Sequence, residues 1–160
     1  MANSSHPIVT YYENELIIAE AQARKNALDE SLVSLNAVRT GLAGGYLHGA
    51  TLPVAGKKYE AYALNDFSTT GIANPTQAAT PQQALLYEII SQRYIIFLMQ
   101  YEAFNDYRRL AKATPIVQLP IPLYVGSRKP QRFIYPQSEI ATNPNVPAPL
   151  PDQFTNVSIF

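Results

Sequence analysis

The sequence contains no cysteine. A disulfide framework, thiolate zinc ligation and a cysteine nucleophile are therefore excluded. Charge is scarce as well: charged residues make up 15% of the chain, against about a quarter in an ordinary soluble domain. Twelve basic residues balance twelve acidic ones, so no net field draws in nucleic acid or an anionic membrane. The basic residues gather only as pairs, such as Lys57-Lys58, Arg108-Arg109 and Arg128-Lys129, and no nucleic-acid partner is expected. No apolar run approaches a bilayer-spanning length of about 18 residues; the densest, Tyr94 to Met99, is far shorter. Met1 to Pro7 carries neither a basic stretch nor an apolar core, so no signal peptide is expected here. Any export signal is expected outside this chain.

Signatures of chemistry are equally sparse. His6 and His48 are the only histidines, and neither has a second ligand at metal-binding spacing. No G-x-S-x-G elbow occurs. Gly41-Leu42-Ala43-Gly44-Gly45 lacks the Lys-Ser/Thr pair of a phosphate loop, and it follows a helical pattern instead of preceding one. Glu102 and Asp106 share a helix face, as a glycosidase pair would need. Arg109 lies three residues beyond Asp106, however, so an ion pair explains the spacing better. The chain is read as non-enzymatic, with no cofactor and no metal.

What remains is a mainly all-α pattern in a single domain, 1–160, with four zones. Residues 7–41 read as a helical hairpin of tetratricopeptide size. Tyr12, Leu16, Ala19 and Ala23 form one stripe, and Leu28, Leu32, Leu35, Val38 and Leu42 a second. The small alanines of LIIAEAQA allow close helix approach, the link is Arg24-Lys25-Asn26, and Gly41 and Gly44-Gly45 supply the stop. Residues 42–80 form a long irregular loop rich in glycine and tyrosine, with a short strand expected over 58–64. At 81–112 lies one long helix, or two broken near Met99 to Tyr101. It opens on Thr80, Pro81 and Gln83 as a capping box, and its stripe Leu86, Ile90, Tyr94, Phe97, Tyr101 and Phe104 marks it as core. Residues 113–160 hold nine of the thirteen prolines from Thr114 onward. Ile121, Leu123, Tyr124, Phe133, Ile134, Tyr135 and Ile140 make this segment too apolar for a free tail, so an extended strap laid over the helices is expected.

The run Pro130-Gln131-Arg132-Phe133-Ile134-Tyr135-Pro136-Gln137-Ser138-Glu139-Ile140-Ala141-Thr142-Asn143-Pro144-Asn145 resembles the C-terminal signature of the SusD/RagB family. Upstream, Glu102-Ala103-Phe104-Asn105-Asp106-Tyr107-Arg108-Arg109 is similar to that family's EAWNDWRR segment. The stretch Tyr62 to Phe67 followed by Gly71-Ile72 resembles a third element, and YYENELIIAEAQAR a family tetratricopeptide helix. The four stand in the family's order and cover nearly the whole chain. Members carry a lipidated cysteine and further helical repeats ahead of these elements, so the chain resembles the family's C-terminal third.

The resemblance implies a binder without chemistry of its own. It would sit at the external face of the outer membrane of Bacteroidetes, taking up oligosaccharide or peptide and delivering it to a TonB-dependent transporter of the SusC/RagA type. Aromatic faces stack on sugar rings, which makes Tyr46, Tyr59, Tyr62 and Phe67 the candidate ligand contacts; the competing reading is that they pin the loop onto the helices. Arg108, Arg132, Tyr135 and Asn143 are expected to be structural anchors. The alternative from another class is a tetratricopeptide-type interaction scaffold with no small-molecule ligand. A terminal repeat also exposes an apolar face, so self-association through Tyr12, Leu16 and Ala19 is expected. If Arg132 is a half-buried anchor, Arg132→Met lowers the melting temperature by about 2–4 °C, as differential scanning fluorimetry would show; an unchanged melt removes that role.

Overall fold

A computed structural model describes residues 9–45, 59–74, 79–110, 113–118 and 130–154. Helix accounts for 59% of the described residues and no strand occurs among them, so the protein is mainly all-α. Backbone contacts divide the chain into two units, Met1–Leu119 and Pro120–Phe160. The first holds α1 (Tyr11–Arg24), α2 (Leu28–Ala43), a short 3-10 turn (Leu64–Phe67), α3 (Pro81–Ile96), α4 (Tyr101–Arg109) and a second 3-10 turn (Pro115–Val117); the second holds α5 (Gln137–Thr142). No described helix is long and apolar enough to cross a membrane.

α1 starts where the Thr10 hydroxyl accepts from the Glu13 amide at 3.1 Å. It stops at Asn26, whose φ of 62° is left-handed and lets the Ala27 amide return to the Gln22 carbonyl at 3.0 Å. That Asn-terminated exit brings α2 back against α1. The two approach closely: Ala19 and Ala23 are fully buried, and the Ser31 hydroxyl donates to the Ala19 carbonyl at 2.7 Å. Ser31 and Ser34 therefore take the seam, and the expected stripe is only partly right. Leu35, Val38 and Leu42 are buried, while Leu28 and Leu32 stay half-exposed.

Two further expectations for this hairpin are corrected. Leu16 and Ala19 are fully buried, so the Tyr12-Leu16-Ala19 face cannot be the self-association surface. α1 shows Tyr11, Ile17 and Ile18 to solvent instead. Gly41 is not a stop either. It lies inside α2 under the Tyr12 ring, where an added Cβ would overlap the phenol. Gly45, at φ 86°, ends the helix run.

The expected strand over 58–64 is absent from its described part, Tyr59 to Leu64. The reason is local. The Asn36 side chain accepts from the Tyr62 amide at 2.8 Å and donates to the Tyr62 carbonyl at 2.9 Å, taking both groups that a neighbouring strand would pair. Asn74, buried, then closes the loop by donating to the Ser68 and Ala79 carbonyls at 3.1 and 2.8 Å.

α3 begins with the expected box: the Gln83 amide donates to the Thr80 hydroxyl at 3.3 Å, and the Thr80 amide to Gln83 Oε1 at 3.1 Å. Gln82 adds a tie to the end of α1, donating to the Ala23 carbonyl at 2.8 Å. Leu85, Ile89, Ile90 and Ile96 are buried along α3, each contributing about 1.5–3 kcal/mol of apolar burial. The helix then breaks, with Met99 at φ 66°, and α4 restarts at Tyr101. The break re-aims the aromatic stripe. Phe97 is 3% exposed, but Tyr101 is 74% exposed and Tyr94 and Phe104 are half-buried, so only Phe97 fills the core position expected of all four.

In the second unit, Gln137–Thr142 is helical and not extended strap. Pro136 precedes it in extended backbone, where its fixed φ and missing donor suit a helix start. Phe133 and Ile134, expected to pack, are 62% and 68% exposed. Ile121, Leu123 and Tyr124 lie outside the described residues. The unit is closed on itself by the Gln131 and Arg132 amides, which donate to the Gln153 carbonyl at 2.8 and 3.3 Å.

The Tyr12–Gly41 contact sets a sign test. Alanine normally stabilises a helix interior over glycine by about 1 kcal/mol, yet here it displaces a ring. Gly41→Ala should therefore destabilise the native chain by about 1 kcal/mol but stabilise a Tyr12→Ala background, as urea denaturation of the four variants would reveal.

Candidate functional site

Two polar clusters organise the first unit. The larger joins three helices. Glu20 of α1 accepts from Arg24 at 2.8 Å (Nε) and 2.7 Å (Nη2), and from Arg109 Nη2 of α4 at 2.9 Å. Arg109 also donates to Asp106 at 2.9 Å, and Asp106 accepts from Arg93 Nε of α3 at 2.7 Å. Three cations and two anions thus form one chain, with Glu20, Asp106 and Arg93 all buried. Burial opposes ionisation of Glu20, but hydrogen bonds from Arg109 and Arg24 outweigh it and hold its pKa below the ordinary carboxylate value. Burial likewise works against the Arg109 cation, and its bonds to Glu20 and Asp106 overcome that and raise its pKa.

The expected Asp106–Arg109 pair is present, and it is not the isolated surface pair that the spacing suggests. Asp106 is only 4% exposed and carries two arginines. Its carboxylate is committed, which removes it as the partner of Glu102 in a glycosidase pair. Sequence reasoning missed Arg93 and Glu20. The signal was a charge inside an apolar stripe: Arg93 follows Ile89 and Ile90 at helical spacing, and Glu20 sits between Ala19 and Ala23.

The second cluster holds the candidate ligand residues. Arg39 of α2 lies 3.8 Å from the Tyr62 ring centroid and 5.9 Å from that of Tyr59. Its Nε donates to the Glu60 carbonyl at 2.8 Å, and its Nη1 is 3.8 Å from Glu88 of α3. Tyr62 donates its hydroxyl to Glu88 at 3.1 Å, beside Gln92, which donates to the same oxygen at 2.9 Å. Burial first, then the Glu88 carboxylate, raises the Tyr62 pKa, with Arg39 opposing. Tyr62 also meets Phe67 edge-on at 5.2 Å.

Phe67 is fully buried, so it is corrected from ligand contact to core residue. Tyr62, with a cation on its ring and a carboxylate on its hydroxyl, pins the loop onto α2 and α3. Tyr59 is half-buried, and Arg39 lies farther from its ring than from that of Tyr62. Tyr46 lies outside the described residues, as do His6 and His48. No group of three potential metal ligands occurs among the described residues.

The expected anchors are local. Arg108 sits 5.7 Å from the Phe104 ring centroid, with its Nε buried and without a hydrogen-bond partner. In the second unit, Arg132 lies 5.0 Å from the Tyr135 ring centroid, and its Nε is likewise buried and unpaired. Asn143 accepts from the Asn145 amide at 2.9 Å and donates to Glu139, fixing the exit of α5. No protein-family model, curated protein or solved structure matches the chain.

The cluster around Glu20 carries a pH dependence of definite sign. Glu20 has a folded-state pKa below its unfolded value of about 4.3. Its contribution is therefore complete above that value and is lost as pH falls through the lower folded pKa. Acid titration of folded fraction should show this loss below about pH 4. Glu20→Gln should flatten that limb and destabilise the protein at pH 7 by about 2 kcal/mol.

Proposed function

We propose that this chain is the C-terminal part of a non-enzymatic nutrient-binding protein of the SusD/RagB type. It captures oligosaccharide, or peptide, at the external face of the outer membrane and delivers it to a TonB-dependent transporter. The observation that carries the reading is the ordered set of four sequence elements, above all the NDYRR and YPQSE segments ahead of Asn143-Pro144-Asn145.

The structure supplies a physical reason for two of these patterns. NDYRR lies on α4, where Asp106 and Arg109 tie that helix to α1 and α3. YPQSE opens α5, and the following asparagine shapes its exit. Such residues need not touch ligand to be required. Of the described aromatic candidates, Phe67 is buried and Tyr62 is engaged by Arg39 and Glu88, so the reading assigns the sugar contact to the half-buried Tyr59. The scaffold reading has its own support in Tyr11, Ile17, Ile18 and Val33, apolar residues exposed on the hairpin.

Glycan-array and calorimetric screening of the full chain against neutral oligosaccharides and short peptides separates the two. Capture predicts a binding isotherm that weakens at least tenfold, about 1.4 kcal/mol, in Tyr59→Ala with an unchanged melting temperature. Tyr62→Ala should instead lower the melting temperature. A chain that binds neither class of ligand favours the scaffold.

A further inference from the structure

The elbow between α3 and α4 is not written into its own residues. No glycine or proline lies between Gln82 and Thr114. The apolar spacing of three and four runs through the break without a shift. The turn nevertheless forces Met99 to φ 66°, a region that an unbranched L-residue enters at a penalty. At the α1–α2 turn the same conformation falls to asparagine, a residue type that tolerates it. The elbow also leaves Leu98, Met99 and Tyr101 exposed. What folds α4 back is tertiary: the Arg93–Asp106 pair, the Arg109–Glu20 pair, and the burial of Ala103, Tyr107 and Leu110.

We propose that two copies of this chain exchange α4. In the exchanged form, residues 81–109 make one continuous helix, and the α4 of each copy, with the Pro115–Val117 turn behind it, docks on α1 and α3 of the other. Every contact that α4 makes within one chain recurs between chains, both ion pairs included, so these cancel between the two forms. The difference lies at the elbow. Straightening releases Met99 from its left-handed conformation and extends the helical hydrogen-bond ladder across residues 97–100. It also lets Leu98 and Met99 of the two copies cover one another. Opposing this is the loss of independent motion on association, so exchange grows with protein concentration. The partner is a second copy of the chain, and the surface it uses is the one that α4 covers in the monomer.

Charge exchange tests this directly. Arg93→Asp and Asp106→Arg each place like charges at the α3–α4 contact of their own chain. Refolded together, the two variants restore opposite charges at both contacts only by exchanging α4. Native mass spectrometry and light scattering should then find the mixed dimer in preference to either homodimer; a mixture that gives the sum of the separate profiles overturns the proposal. Should either variant fail to fold, the native chain and Met99→Gly serve. The native chain should populate a dimer when concentrated from mild denaturant. Glycine relaxes the elbow and weakens the straight helix, so Met99→Gly should raise the dimer dissociation constant at least tenfold. A native chain that stays monomeric, or a dimer indifferent to Met99→Gly, overturns the exchange.

Discussion

The bridge from Glu20 through Arg109 and Asp106 to Arg93 is the constraint on which the helical unit depends. α4 has nine residues, too few to persist as an isolated helix in water. It exists because its face is buried and because Asp106 and Arg109 of the NDYRR segment find partners on α3 and α1. The arrangement is demanding. A buried carboxylate without its arginine leaves an uncompensated charge, which is far worse than never having had the pair. Removing one partner of the bridge should therefore cost more than the intact pair contributes on its own.

The same logic operates on the far side of α3. Arg39 takes a backbone carbonyl, a carboxylate and two aromatic rings, and by doing so converts a loop rich in tyrosine into a wall of the helical unit. Tyrosines in irregular segments invite a binding interpretation because their rings are often available. Here Tyr62 is consumed by Arg39 and Glu88, and Phe67 by the core. Availability, not residue type, decides what a ring can do, and it leaves Tyr59 as the described candidate on which the proposed ligand capture rests.

Several elements were legible from residue order. The capping box at Thr80-Pro81-Gln83 predicts the start of α3 because its partners are three residues apart and need nothing else. The hairpin follows from two stripes and a short link. The proposed kinship rests on a string of residues in the second unit and on α4, patterns that are read without coordinates. The mistakes share a cause. The strand over 58–64 gave way to Asn36, a residue more than twenty positions away. Gly41 looked like a stop until the Tyr12 ring lay against it. The helix at Gln137–Thr142 was hidden by the prolines around it, though Pro136 stands where a helix can begin.

The sequence by itself determined what is encoded at short range: helical periodicity, caps, the low charge, the absence of cysteine chemistry, and the ordered motifs that suggest a nutrient-binding protein. Only the tertiary structure decided which face of each helix is buried, whether the long helical pattern breaks near Met99, and which charges meet. Those outcomes come from groups such as Glu20 and Arg109, 89 positions apart, whose approach no local spacing records. Burial then changes what each group is: the same Asp106 that reads as half of a surface pair becomes, once enclosed by Arg93 and Arg109, a joint between helices.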